Sequence, residues 1–295
     1  AERVREGATP PPGPSPAFSL DGFAAGPSNE VAVSAARALI KAPGKKYNPL
    51  VIVGKSGVGK THLLHAIGNA LGKRAKSVVA CLSTPAFVDE LIAALEADRM
   101  TWWRARYRRV TALLLDDIHL LAGKDRTQEE LFNLFNHLVD AERQLVFTSP
   151  VLPQQLQGIE SRIITRLEGG LVSELAEPDR DVRGTVLAKL IPAHRMEPDT
   201  ALLDYLADRP VDSVRALTGL VQRVAEAAES RGVPANAGLA RDVLEGRVSR
   251  ASGQRRTGGL RTSGIVVSVA GGLRSREKVL WEWPDPNDRV IEEWG

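Results

Sequence analysis

The residues best equipped for chemistry are Gly54-Lys55-Ser56-Gly57-Val58-Gly59-Lys60-Thr61, which meet the pattern G-x-x-x-x-G-K-[ST] at every fixed position. Gly57 and Gly59 have no side chain to block a loop that curls around a polyphosphate. Backbone N–H groups and the N-terminus of the following helix can then face the negative charge. Lys60 is expected to neutralise the terminal phosphates and the Thr61 hydroxyl to ligate Mg2+. Gly54, Ser56, Val58 and His62 complete the stretch expected to line the ligand. The pattern predicts a nucleoside triphosphate site.

A second feature is the apolar run 110–115 ending in Asp116-Asp117. A magnesium-organising acid belongs at a strand end beside such a loop. Asp116 suits the metal's water shell and Asp117 suits orientation of an attacking water. Two acids at a solvated turn would be the plain reading of the pair by itself; the loop motif favours the functional one.

These groups need elements to position them. Residues 50–53 read as a short buried strand and 62–67 as the start of a helix. Further strands are expected at 77–82, 110–115, 144–149 and 172–175. A helix over 31–41 is expected to be capped by Ser28 or Asn29, and another to be capped at Thr84 with Pro85 at the first helical position. Thr127-Gln128-Glu129-Glu130 reads as a capping box opening a helix whose apolar face carries Leu131, Leu134, Phe135 and Leu138. Strands alternating with helices predict an α/β fold, a mostly parallel sheet covered on both faces. Beyond Glu177-Pro178-Asp179 the pattern is all helix.

Four segments follow: a Pro-rich linker at 1–17, expected not to pack and to follow something upstream, a nucleotide-binding core at 18–176, a helical lid at 177–246, and a tail at 247–295. The tail mixes arginines, glycines, strand-like runs and three tryptophans, Trp281, Trp283 and Trp294. It reads as a basic segment able to lie on phosphates, or equally as a solvated linker, with a docking surface for the tryptophans. Trp102-Trp103-Arg104-Ala105-Arg106-Tyr107-Arg108-Arg109 has two equal readings: nucleic-acid contact, or a helix with buried aromatics and solvated arginines.

At 295 residues, with 43% hydrophobic and 25% charged residues, the chain has the composition of a globular protein. A net charge of +3 supplies no global basic field, so any nucleic-acid contact rests on local patches. One cysteine, Cys81, excludes an internal disulfide framework. No apolar run approaches a membrane span and no signal-peptide pattern opens the chain, so the cytoplasm is the default expectation.

Several of these stretches together resemble one family. Gly26-Pro27-Ser28-Asn29, Tyr47-Asn48-Pro49-Leu50, the phosphate loop, Thr61-His62-Leu63-Leu64-His65-Ala66-Ile67-Gly68-Asn69 and Asp116-Asp117-Ile118-His119-Leu120-Leu121-Ala122-Gly123-Lys124 resemble the bacterial chromosomal replication initiator DnaA family of AAA+ ATPases. The resemblance covers about 18–246. It implies a P-loop AAA+ core with a five-stranded parallel sheet, a small all-α lid, and a C-terminal tail outside the family pattern. It implies ATP and Mg2+ as cofactors, self-association through ATP held between subunits, and slow hydrolysis as an off-switch. DNA and other replication proteins are the implied partners. By matching positions, Ser149 stands at the first sensor, Arg215 at the lid's second sensor, and Arg166 at the arginine finger given to the next subunit's ATP. Ile92, Lys124 and Arg126 fall in the regions implied to touch single-stranded DNA.

The chain also departs from the family pattern. Pro150 follows the sensor serine where the family has an acid, and Leu167 and Gly169 replace aromatics around the finger. No helix-turn-helix pattern is recognisable after Gly246, which makes single strands the expected DNA rather than sequence-specific duplex. Three functions therefore compete: an initiator-type ATPase, a regulator of an initiator that lacks a duplex-reading domain, and a nucleotide-gated scaffold for which DNA is irrelevant. The pair Arg166 and Arg215 favours the first two. Arg126 and the basic stretch favour the first.

Overall fold

Successive side chains of a strand point to opposite faces, and in this molecule that alternation divides the core in two. Strand β1 (Leu50–Val53) sends Leu50 and Ile52 to one side and Val51 and Val53 to the other. In β3 (Ala112–Asp116) and β4 (Gln144–Ser149), Leu114 and Val146 join the first side, while Leu113, Leu115, Leu145 and Phe147 join the second. A computed structural model describes residues 9–197 and 199–246. With β2 (Val79–Ser83) and β5 (Leu171–Glu174), the strands form one five-stranded sheet, every neighbouring pair parallel, in the order β2-β3-β4-β1-β5.

Parallel strands require crossovers, and the helices that make them bury both faces. Helices α1 (Glu30–Lys41) and α2 (Lys60–Gly72) cover the first side. Helices α3 (Thr84–Glu96), α4 (Met100–Tyr107), α5 (Asp125–Asp140) and α6 (Ser161–Glu168) cover the second. Because all strands run one way, the loops that leave them gather at one edge, where open α/β sheets bind ligands. The loops that enter them gather at the opposite edge.

Four more helices follow: α7 (Arg180–Ala193), α8 (Thr200–Ala207), α9 (Val214–Arg231) and α10 (Ala237–Leu244). They close around Leu187, Ile191, Leu202, Leu206, Leu217 and Val221. Each start is capped by a short polar side chain, from Asp179, Asp199, Ser213 and Asn236 respectively. The α/β class, the parallel sheet and the helical segment after it are as the sequence predicts. No helix among the described residues is long and apolar enough to cross a membrane. The readings made for 1–8 and 247–295 lie outside the described residues.

Some local expectations are overturned. Thr127 does not cap α5, which starts at Asp125. Thr127 and Gln128 are buried, and the Gln128 amide donates to the carbonyls of Leu121 and Gly158 at 3.0 and 2.9 Å. Side chains that spell a capping box are thus used for tertiary contacts. Ser83, not Thr84, caps α3; the Thr84 hydroxyl donates to the Asp116 carbonyl at 2.8 Å. Asn29 stands at the start of α1 but turns its side chain back, donating to Ala24 O at 2.8 Å and accepting from Gly26 N at 3.0 Å. Strand β5 begins one residue earlier than expected.

The largest correction concerns the Pro-rich stretch, whose described part, residues 9–17, lies along the core. Cys81 N donates to Pro12 O at 2.8 Å, on the edge strand β2. Arg106 donates to the carbonyls of Thr9 and Pro10, Asn69 to those of Ser15 and Phe18, and Ser15 N to His65 Nδ1. Proline removes a donor but keeps its carbonyl, so a Pro-rich strap can accept along a sheet edge without offering a new edge of its own.

Candidate nucleotide site

Strand β1 leads directly into the glycine-rich loop. Gly54 N donates to Ser149 O at 3.2 Å, and a Cβ on Gly54 would stand 2.4 Å from the Leu175 carbonyl oxygen. Two neighbouring strand ends thus leave room only for glycine. Gly57 (φ +80) and Gly59 (φ +111) hold the left-handed conformations that let the loop turn its amides inward. Helix α2 begins at Lys60, so its free N–H groups and positive dipole end open into the same cradle.

Lys60 is 7% exposed, and its Nζ donates to Gly54 O at 2.7 Å and Lys55 O at 3.0 Å. Burial pulls its pKa below that of an ordinary lysine, against the opposing pull of Asp117 and Asp116. Asp116, at the end of β3, accepts the Thr61 hydroxyl at 2.7 Å on Oδ2 and the Thr148 hydroxyl at 2.5 Å on Oδ1. Asp117 adopts a left-handed φ of +58° with its N–H donated to Thr148 Oγ1 at 2.8 Å. Burial raises the Asp117 pKa, the neighbouring Asp116 adds to the rise, and His119, Lys60 and Arg215 oppose it. The two aspartates and the lysine of the loop therefore share one electrostatic cluster.

These residues fit a magnesium-bound triphosphate. Mg2+ is commonly held by one or two carboxylates together with water and substrate phosphates, and one hydroxyl and one carboxylate meet where it would sit. No cluster of three or more His, Cys, Asp or Glu residues that could hold a metal by itself occurs among the described residues.

The other expected residues fall in different places. Arg215, in the first turn of α9, donates its backbone N–H to Gly57 O at 3.2 Å and its Nη1 to Ser56 Oγ at 3.3 Å, joining the helical segment to the loop. Ser149 is fully buried at the end of β4, but its hydroxyl donates to Val151 O at 2.6 Å rather than facing the acids. Thr148, one residue earlier, occupies that role, and no motif marks it. His62 instead packs on the N-terminal segment, with its Nε2 3.0 Å from Ser19 O and its ring against Phe18 and Phe23. Arg166 is exposed in the last turn of α6 and pairs with no acid among the described residues. Ile92, 43% exposed on α3, and the exposed Lys124 and Arg126 at the start of α5 lie outside the cradle.

Sequence reading also missed a small cavity of about 190 Å³ beside Gly59, lined by Phe23, Val58, His62, Val186 and Val214 among others. Its apolar walls adjoin the phosphate loop, as a flat nucleoside base requires. An open depression of about 1050 Å³ around Met196, Gln222 and Asn236 is larger, but none of the phosphate loop or acidic residues line it. On α4, Trp103 and Tyr107 are buried against Phe87, while Arg104 pairs with Glu130 and Arg106 with Glu90. The packed reading of that stretch holds for the two aromatics, but these arginines are not solvated: both are ion-paired, and Arg106 is only 11% exposed.

Comparison with known proteins agrees with this geometry. A family model described as the bacterial DnaA ATPase domain matches residues 15–174. The chain is 37% identical over 236 residues to the chromosomal replication initiator protein DnaA of Thermus thermophilus, covering 80% of this chain and 54% of that relative. Among solved structures, domain III of the Thermotoga maritima replication initiation protein DnaA matches with a TM-score of 0.73 and 31% identity, covering 81% of this chain and 100% of that one. A replication initiator DnaA bound to AMPPCP and single-stranded DNA matches with a TM-score of 0.67 and 32% identity, covering 74% and 69%. The chain spans about half the length of the curated relatives it matches.

Proposed function

The chain belongs to the bacterial DnaA family, and from that premise we propose that it is an ATP switch acting on DNA in the initiation of chromosomal replication. In this reading ATP with Mg2+ occupies the loop of residues 54–61, with Thr61 and Asp116 at the metal. The bound group supplies a polarised γ-phosphate, open to in-line attack by water. Lys60 and the loop amides hold its charge, Asp117 orients the water, and Arg215 reports from the helical segment on the nucleotide. Arg166 of one subunit would complete the site of the next and supply positive charge where the γ-phosphate departs. Slow turnover would then dismantle the assembly.

One observation carries the proposal: Lys60, the Thr61–Asp116–Thr148 hydrogen-bond chain and Arg215 converge on a single glycine-lined loop. Single-stranded DNA as the partner is supported by the solved relative that holds it, and by Ile92, Lys124 and Arg126 being exposed. The test compares ATP binding and single-strand binding, with and without ATP, for the full chain and its Lys60→Ala variant. ATP binding should vanish in the variant, along with any gain in single-strand affinity on adding ATP. Unchanged ATP affinity would sink the site assignment.

A further inference from the structure

At the edge of the sheet opposite the nucleotide loop, the C-terminal half of α1 and the turn after it form a cleft of about 350 Å³. It is lined by Ser34, Arg37, Lys41 and Lys46, with only Ala38 and Ala42 between them. None of its three cations forms an ion pair with a carboxylate among the described residues. A fourth cation adjoins them, because Arg74 donates to the carbonyls of Ile40 and Lys41 at 2.6 and 3.0 Å. Like charges so gathered repel one another, and a bound anion relieves that repulsion.

The cleft is built rather than accidental. Gly44 (φ +75) turns the chain so tightly against the loop before β4 that a Cβ there would stand 2.0 Å from Glu142 O. Gln144 Oε1 accepts from Gly44 N at 2.9 Å, and its Nε2 donates to Tyr47 O at 3.0 Å. Asn48 ties the end of the same turn to Arg143 O and Leu145 N, at 2.9 Å each. Lys46 is thus presented from a fixed turn. Further cations, Lys45, Lys73, Lys76, Arg108 and Arg109, lie on segments entering β1, β2 and β3 at this same edge.

The geometry points to a second nucleic-acid site: the cleft of Ser34, Arg37, Lys41 and Lys46 binds the phosphodiester backbone of a DNA duplex. This rests on the reading above that the chain acts on DNA. Single-strand sites interleave cations with aromatic platforms on which bases stack. Here Tyr47, next to Lys46 in the turn, is the one aromatic among the exposed large apolar side chains of the described residues, and a single ring cannot stack successive bases. Four cations around a single ring suit a backbone whose bases stay paired, and such contacts carry affinity rather than sequence.

The test titrates the full chain and an Arg37→Ala/Lys41→Ala/Lys46→Ala variant with labelled duplex DNA and single-stranded DNA across a salt series. Arg74 is left intact because it holds the end of α1. Duplex affinity should fall at least about tenfold at low salt, and the slope of log affinity against log salt should lessen by about 2 to 3, close to one per lost phosphate contact. Single-strand affinity, ATP affinity and the melting temperature should stay unchanged. The inference is overturned if the wild-type chain binds no duplex or the variant keeps the full slope. An equal loss on single strands also overturns it. A wild-type chain that fails to bind ATP or single strands would count against the function proposed above, while the duplex measurement still decides this one.

Discussion

The Thr148 hydroxyl donates to Asp116 Oδ1 at 2.5 Å and accepts the N–H of Asp117 at 2.8 Å, so one β4 side chain fixes both acids at the end of β3. Thr148→Val keeps the shape and strands both partners. A lost hydrogen bond to a charged group costs about 1.5–3 kcal/mol, so the variant should unfold at lower denaturant. Hydrolysis should fall about tenfold, the equivalent of 1.4 kcal/mol in the barrier, with ATP affinity little changed because Lys60 and the loop are untouched. Steady-state turnover set beside nucleotide titration checks this, and wild-type turnover would show that Asp116 needs no help from β4.

How far the sequence revealed this site depends on how local each requirement is. Gly54, Gly57, Gly59, Lys60 and Thr61 are legible because one short loop imposes its own steric and charge demands on consecutive residues. Thr148 is not, since its role follows from β3 and β4 being neighbours in register, one residue beyond the Leu115–Phe147 pair. The same holds for Gln128, whose capping-box context is local while its partners, Leu121, Gly158 and Glu160, come from other segments. The docking of residues 9–17 is not legible either, because composition speaks to side-chain burial, whereas that docking uses backbone carbonyls.

Glu130 provides a pH-dependent test of how α4 is anchored. Its side chain is 5% exposed, and Arg104 Nε donates to its Oε2 at 3.0 Å. The hydrogen bond from Arg104 holds its carboxyl below the usual glutamate range, against the opposing effect of burial. A depressed acid contributes stability that is present above its unfolded pKa, about 4.3, and is lost as pH falls through the lower folded value. Glu130→Gln should therefore melt below wild type at pH 7, with the gap closing as acid protonates the wild-type residue. A gap that is constant with pH would mean that shape, not charge, is what matters there.

Asn69 holds the strap by two hydrogen bonds, to Ser15 O and Phe18 O, both at 2.7 Å. Asn69→Ala leaves both carbonyls without this donor. At about 0.5–1.5 kcal/mol for each bond, it should release the N-terminal strap well before global unfolding. Limited proteolysis should cut the variant within the first twenty or so residues under conditions where the wild type resists, an order-of-magnitude rise in local opening. Equal resistance would place the anchoring elsewhere, on Arg106 or Pro12.

Arg166 is exposed and unpaired with any acid among the described residues. A structural role within its own subunit predicts a stability loss on Arg166→Ala; a role in the neighbouring site predicts none. We expect an unchanged melting temperature, unchanged ATP affinity at low protein concentration, and weaker ATP-dependent assembly by sedimentation. Assembly equal to wild type would remove Arg166 from the subunit contact.

Gly57 is where the loop and the helical segment press on each other. Its Cβ, were there one, would stand 2.9 Å from Arg215 Cβ and 3.2 Å from Ser213 Cβ, and its φ of +80 is costly for any other residue. Gly57→Ala should thus act twice: it strains the loop by about 1–2 kcal/mol, and it pushes the start of α9 off the cradle. Arg215→Ala removes only the side-chain contact to Ser56. ATP affinity should consequently drop further in Gly57→Ala than in Arg215→Ala, and only the former should also lose melting temperature. If the two variants bind ATP equally well, the backbone contact between Gly57 and Arg215 does not couple the helical segment to the nucleotide, and the guanidinium alone does.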